Sequence, residues 1–179
     1  MNAERHAYYP WYTIAEDNSL QQGDFFFDFP VFEVDYGAIA PGASPSVDVA
    51  LHDVIVLSQS CDLKYEKLES VLVCPHFALD VAIETNSFLK ATQKKKELRA
   101  GLIPALHALN ACEVDGFDLS IRVVTFQQVF SLPFGYVKKH AEQNTRRLRL
   151  LPPYREQLAQ AFARFIMRVG LPNDIPDFW

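Results

Sequence analysis

Residues 47 to 59 change hydrophobic period halfway along, and that switch limits the folds open to the chain. Val47, Val49 and Leu51 alternate with Asp48, Ala50 and His52, the two-residue period of a strand with one wet face. Val54-Ile55-Val56-Leu57 then runs unbroken into Ser58-Gln59-Ser60-Cys61-Asp62. A half-exposed strand thus becomes a fully buried one. Two runs of matching character flank it. Gly23 to Val34, with Phe25-Phe26-Phe27-Asp28-Phe29 near its start, reads as a strand bulged or interrupted at Pro30, and Ser70 to His76 reads as a strand whose end, or an edge position, is marked by Pro75. Aromatic residues make up 13% of the chain, with 14 Phe, which suits a small sheet core filled by large side chains.

Between the first two strands, Ala40 to Ser46 is a loop by composition. A mostly polar helix is expected from Asn86 to Arg99, stopped by Gly101. Ile103 to Cys112 and Phe117 to Phe126 read as strands around an Asp115-Gly116 hairpin turn, followed by a turn-rich stretch from Gln127 to Gly135. Tyr154, Leu158, Ala161, Phe162, Phe165, Ile166 and Val169 form one apolar stripe of a C-terminal helix, started by Pro152-Pro153 and ended by Gly170 and Pro172. Gln160, Arg164 and Arg168 repeat on its other face, a solvated face in the plain reading. The tail from Pro172 to Trp179 is expected to fold back on the body, or else to serve a partner or a homodimer interface. These pieces predict a single α+β domain over residues 1–179. Its core is a strongly bent antiparallel sheet or small β-barrel over about 22–130, with a helical insertion and a C-terminal helical cover over about 138–179.

No apolar run approaches the roughly 18 to 20 residues of a membrane span. Residues 1–24 lack the pattern of a secretory signal, and three cysteines make no disulfide framework, so a cytoplasmic setting is expected. The net charge of −5 is unevenly spread: residues 138–168 hold eight Lys or Arg against two Glu, the remainder nine against twenty acidic residues. Such asymmetry points either to an anionic partner or to a basic segment bound to the acidic remainder of the same molecule.

The residues with chemistry fall into two groups. Lys138, Lys139, Arg146, Arg147, Arg149 and Arg155 form the candidate nucleic-acid set, with RNA as the first partner to consider and Tyr154 as an aromatic for stacking. Cys61, Asp62, His52 and His76 form the candidate catalytic set. Metal-free RNA cleavage needs a base for the ribose 2′-hydroxyl and an acid for the leaving oxygen, which His52, His76 and Asp62 can supply, with Lys64 or Arg122 as the charge. A nucleophilic Cys61 would instead need a histidine beside it, whereas the ordinary reading of a free cysteine is an inert, buried one. No phosphate-cradling glycine loop occurs, and Cys61, Cys74, Cys112 and His76 make only an irregular zinc set, so neither cofactor nor metal is expected.

Three segments resemble the PemK/MazF family of toxin-like proteins. Gln22-Gly23-Asp24-Phe25 to Pro30 looks like that family's opening strand, Asp53 to Ser58 like its buried second strand and Val71 to Pro75 like its third, over residues 22–77 and on to about 135. The resemblance implies a small SH3-like barrel in a toxin–antitoxin or phage-defence setting, binding RNA, an antitoxin or another protein. RNA-cleaving members carry an Arg before the second strand and a Ser or Thr after the third, where this chain has Leu51-His52-Asp53 and Cys74-Pro75-His76. Neither functional residue carries over, so the resemblance implies a binding module more than a nuclease.

Overall fold

The structure is a computed structural model that describes residues 9–34, 42 and 46–167. The expected strands come first. β2 (Phe25–Val34) pairs antiparallel with β3 (Val47–Val56), and β3 with β4 (Ser70–Ala78). The phenylalanine run sits in β2 because a bulge lets it. Phe25 opposes Ile55 and Phe26 opposes Val54, then the register shifts so that Phe29, not Asp28, follows Phe26 onto the same face, opposite His52. Asp28 is the inserted residue, with φ of 48° and its N–H donated to Asp53 Oδ1 at 3.2 Å. Without it, Phe29 would share a face with Phe25 and Phe27, and one side of the sheet would lose its filling.

β4 is the hub. Its first half pairs with β9 (Phe130–Pro133) and its last residues with β8 (Arg122–Thr125) along one edge, while β3 holds the other. β5 (Leu106–Leu109) completes this six-stranded sheet beyond β8. β6 (Cys112–Val114) and β7 (Phe117–Leu119) form a small hairpin, and β1 (Tyr12–Glu16) pairs with β10 (Arg146–Leu150) in a two-stranded ribbon.

Apolar side chains are buried on both faces of the main sheet. Val54, Val56, Val71 and Val73 face α4 (Phe134–Gln143) through Val137 and Ala141. Ile55, Leu57 and Cys74 belong to the other cluster, with Leu148 and Leu150 of β10 and Leu158 and Ala161 of α5 (Tyr154–Ile166). The unbroken apolar run in β3 is the consequence of this two-sided cover. A third cluster lies under the insertion made of α2 (Leu79–Thr85), a 3-10 turn (Ser87–Lys90) and α3 (Thr92–Arg99).

The fold is therefore mixed helix and antiparallel sheet, with the helical insertion and a C-terminal helix packed on the sheet as expected. Several details differ. Among the described residues no sheet closes into a barrel. Residues 138–167 are not helical throughout, because β10 occupies Arg146–Leu150. The two long strands expected over 103–126 are four short ones, since Asn110-Ala111 and Ser120-Ile121 break each run. β1 and α2 were not expected, and the stretch from Gln127 to Gly135, read as turns, holds the strand β9. The tail from Pro172 and most of the 40–46 loop lie outside the described residues. Among those described, no helix is long and apolar enough to cross a membrane.

The ribbon joins the main sheet through Gly23 and Asp24. Gly23 N–H donates to Val56 O, Leu150 N–H to Gly23 O, and Asp24 bridges to Arg149. Gly23 has φ of 83°, and a Cβ there would stand 2.9 Å from that of Leu150, so only glycine permits the approach. The Asp24 carboxylate is fully buried and accepts from both Arg147 and Arg149, each itself buried. Arg147 also donates to the carbonyls of Ala141, Asn144 and Thr145, closing the C-terminal end of α4. Ser19 O accepts from both guanidinium groups.

Replacing Asp24 strands two buried cations. Asp24→Ala is expected to lower stability by about 3–5 kcal/mol, and Arg146→Ala, at the exposed neighbour of Arg147 in β10, by no more than about 0.5 kcal/mol. Urea denaturation of the two variants checks the contrast.

Candidate functional site

Where β3 leaves the sheet, side chains take over from backbone pairing. Leu72 N–H donates to Ser58 Oγ at 2.9 Å, Gln22 N–H to Ser60 Oγ at 3.1 Å, and the buried Gln22 amide to Leu57 O at 2.8 Å. These bonds fix the Ser58–Ser60 turn and so aim the short helix α1 (Ser60–Lys64) outward. Cys61 is exposed on its first turn. It lines two clefts, one of about 620 Å³ with Ser19, Gln21, Tyr65, Phe134 and Lys138, the other of about 500 Å³ with Gln22, Gln59, Arg155 and Glu156.

Tyr65, at the end of α1, is 63% exposed on the wall of the larger cleft. The ammonium groups of Lys64 and Lys67 stand 5.5 and 5.3 Å from its ring centre. Lys138 reaches the same cleft from α4, donates to Glu66 at 2.5 Å and has its pKa raised by that bond. The sequence reading passed over Tyr65 and Lys67. The available signal was an exposed aromatic between two cations, Lys64-Tyr65-Glu66-Lys67, in a polar connection.

The candidate catalytic residues are not brought together. Among the described residues Cys61 donates to Gln59 Oε1 alone, at 3.8 Å, and no histidine lines either of its clefts. Its exposure departs from the ordinary expectation of a buried thiol, which Cys74 and Cys112 meet. Cys74 donates to Thr125 O at 3.0 Å, and burial pushes its thiol pKa up to about 12. Asp62 lies in α1, its N–H donating to Gln59 O and its own carbonyl accepting from the Lys67 N–H.

His52 and His76 lie on opposite faces of the sheet. His52 pairs with Glu33 at 3.0 Å and packs on Phe130, on the α4 side. His76 is fully buried on the other side against Phe25 and Phe27, at ring-centre distances of 5.0 and 5.7 Å. Arg122 Nε donates to His76 Nδ1 at 3.0 Å, so the ring proton is on Nε2, which has no hydrogen-bond partner among the described residues. Arg122 also binds Asp53 at 2.7 Å, so this cluster ties β3, β4 and β8 together. Burial, and then the Arg122 charge, hold the His76 pKa well below the usual histidine value.

The candidate nucleic-acid set also divides. Arg147 and Arg149 are buried on Asp24. Arg146 is held by Asp115 and lies over Phe117, Arg155 pairs with Glu156 at 2.7 Å, and Lys138 pairs with Glu66. Lys139 is exposed. Apart from Glu156, the acidic partners lie outside 138–168, so the charge asymmetry is matched largely inside the molecule. The alternation Arg147-Leu148-Arg149-Leu150 carried the signal: a strand there sends both arginines to one face and both leucines to the other. No protein-family model matches the chain, and no curated protein matches it.

Two outcomes follow. In the native protein one thiol, Cys61, is expected to react with a disulfide reagent, and all three only in denaturant; Cys61→Ser should leave none reactive before unfolding. His76 and His107, the latter lowered to about 4 mainly by burial, take up protons more readily in the unfolded chain. Stability should therefore fall as the pH drops below about 6.5, by up to roughly 1.4 kcal/mol per pH unit for each ring. Urea midpoints from pH 7.5 to 5 should show a shallower fall for His107→Gln than for the parent.

Proposed function

We propose that the protein is a non-catalytic binding module that takes single-stranded RNA at the larger Cys61 cleft, in a cytoplasmic toxin–antitoxin or phage-defence setting. The carrying observation is Tyr65, exposed on the cleft wall with Lys64 and Lys67 beside its ring. An aromatic face accepts any base by stacking, and flanking ammonium groups follow the phosphates on either side. Lys138 and Lys139 of α4 extend the basic edge. In this reading the bent sheet is an opened form of the SH3-like barrel that the PemK/MazF resemblance implies. Support for a binding role over cleavage comes from the separation of His52 from His76 across the sheet, and from Cys61 having no histidine in its clefts.

A protein partner, whether an antitoxin or a second copy of the chain, is the second reading. Its support is the apolar surface of the β2–β3 ribbon, where Phe32 lies opposite Val49, with Val47 and Leu51 alongside, all more than half exposed.

Fluorescence anisotropy with a labelled mixed-sequence RNA, without metal and at two salt concentrations, separates the two. Tyr65→Ala is expected to weaken binding by about 1–3 kcal/mol. Lys67→Gln should flatten the slope of log affinity against log salt by about 0.7. Arg146→Ala should change neither. Binding that ignores Tyr65, or no binding at all, refutes the nucleic-acid reading and leaves the protein partner.

A further inference from the structure

On the far side of the molecule from α4, a second kind of cleft opens between α3 and the β5–β8 edge. It measures about 490 Å³, within the usual size of small-molecule sites. Its walls are Trp11, Leu79, Leu98, Ala108, Leu109 and Ile121, and among the described residues none that lines it is acidic. Leu98 and Leu109 form a floor that is already buried in the core, so the apolar wall is rigid and continuous with the packed interior. Trp11 is held in place by stacking on Tyr154, with ring centres 3.6 Å apart and planes 8° from parallel.

Two cations stand at the edge of this apolar space. Lys95 and Arg99 line it from consecutive turns of α3, four residues apart and hence on one helix face. Both are exposed, and neither makes an ion pair among the described residues. Lys94 shows the contrast: it sits one residue earlier and is held by Glu97 at 2.6 Å. In a chain of net charge −5, two neighbouring cations at the mouth of an apolar cleft thus stand without a carboxylate partner among the described residues. Asn110 adds one polar group to the lining, its backbone carbonyl accepting from Tyr12.

We propose that this cleft binds a small amphiphilic carboxylic acid, its apolar body against Trp11, Leu98, Leu109 and Ile121 and its carboxylate between Lys95 and Arg99. The division of labour follows from the magnitudes. Exposed ion pairs contribute little by themselves, so affinity comes from the buried hydrocarbon and the cations select for the anion. The site is separate from the Tyr65 cleft and does not depend on the RNA reading.

The test uses the full-length chain carrying Trp179→Phe, so that Trp11 is the one tryptophan, and follows its fluorescence on titration with hexanoate, octanoate, decanoate and 1-octanol. Saturable quenching is expected, tightening about fourfold for each added CH₂. Octanoate should bind roughly three- to tenfold tighter than 1-octanol. The double variant Lys95→Gln, Arg99→Gln, which changes only exposed side chains, should remove that preference and leave 1-octanol binding as it was. Ala108→Leu, which fills the cleft, should weaken all four ligands. No saturable response, equal affinity for acid and alcohol, or a preference that survives the double variant each overturns the proposal.

Discussion

One buried carboxylate organises the junction on which the rest of the fold depends. Asp24 lies where the ribbon of β1 and β10 meets the main sheet, and it is the acceptor shared by two buried guanidinium groups. Its geometry explains the register of β10. Arg147 and Arg149 face Asp24 while Leu148 and Leu150 face the core beneath α5, so a one-residue slip would drive both arginines into that core. The donors left over on Arg147 close the end of α4, which couples the helix on one face of the sheet to the ribbon on the other. A buried ion cluster of this kind adds little net stability beyond what an apolar replacement would, but losing one member is costly.

The same arrangement recurs on a smaller scale at Arg122. There the guanidinium joins Asp53 to His76 beside the β2 bulge, and again a charged side chain holds strands where backbone pairing is irregular. Both clusters use residue types that invite a functional reading. An arginine-rich stretch and a histidine after a buried strand are consumed by architecture, because a sheet that bends and bulges leaves polar gaps that must be filled by paired groups.

That is also why the strands were more legible in the sequence than the site. The apolar runs at Phe25, Val54 and Val71 carry their own period, and each lies in a strand as read, but the bulge falls at Asp28 instead of Pro30 and β4 runs past Pro75 to Ala78. The α5 stripe was equally plain as far as Phe165, whereas Ile166 is exposed and Val169 lies outside the described residues. β10 was hidden because its alternation is Arg with Leu, which reads as a basic tract until the buried acid opposite it is known, and that acid is 123 residues away in sequence from Arg147. His52 lies within one identified strand and His76 near the end of another, but which faces they take depends on pairing register, which periodicity alone does not give. Cys61 was placed correctly at a strand exit; its exposure follows from the Gln22 and Ser60 bonds that turn the chain outward, contacts formed between segments 38 residues apart.

What remains on the surface after these internal pairings is a better guide to ligands than the total charge. The segment 138–168 is the most basic part of the chain, yet most of its described cations are held by carboxylates, and two of them, Arg147 and Arg149, are buried on Asp24. Two pairs of cations beside open space lie outside that segment, Lys64 and Lys67 around Tyr65 and Lys95 and Arg99 above Leu98. Both pairs favour an anion, but their walls differ. An exposed ring offers a flat face to successive bases along a strand, whereas a recessed apolar floor favours one compact hydrocarbon body. In the two proposals, equal charge on unequal walls is thus what separates a nucleic-acid ligand from a small carboxylic acid.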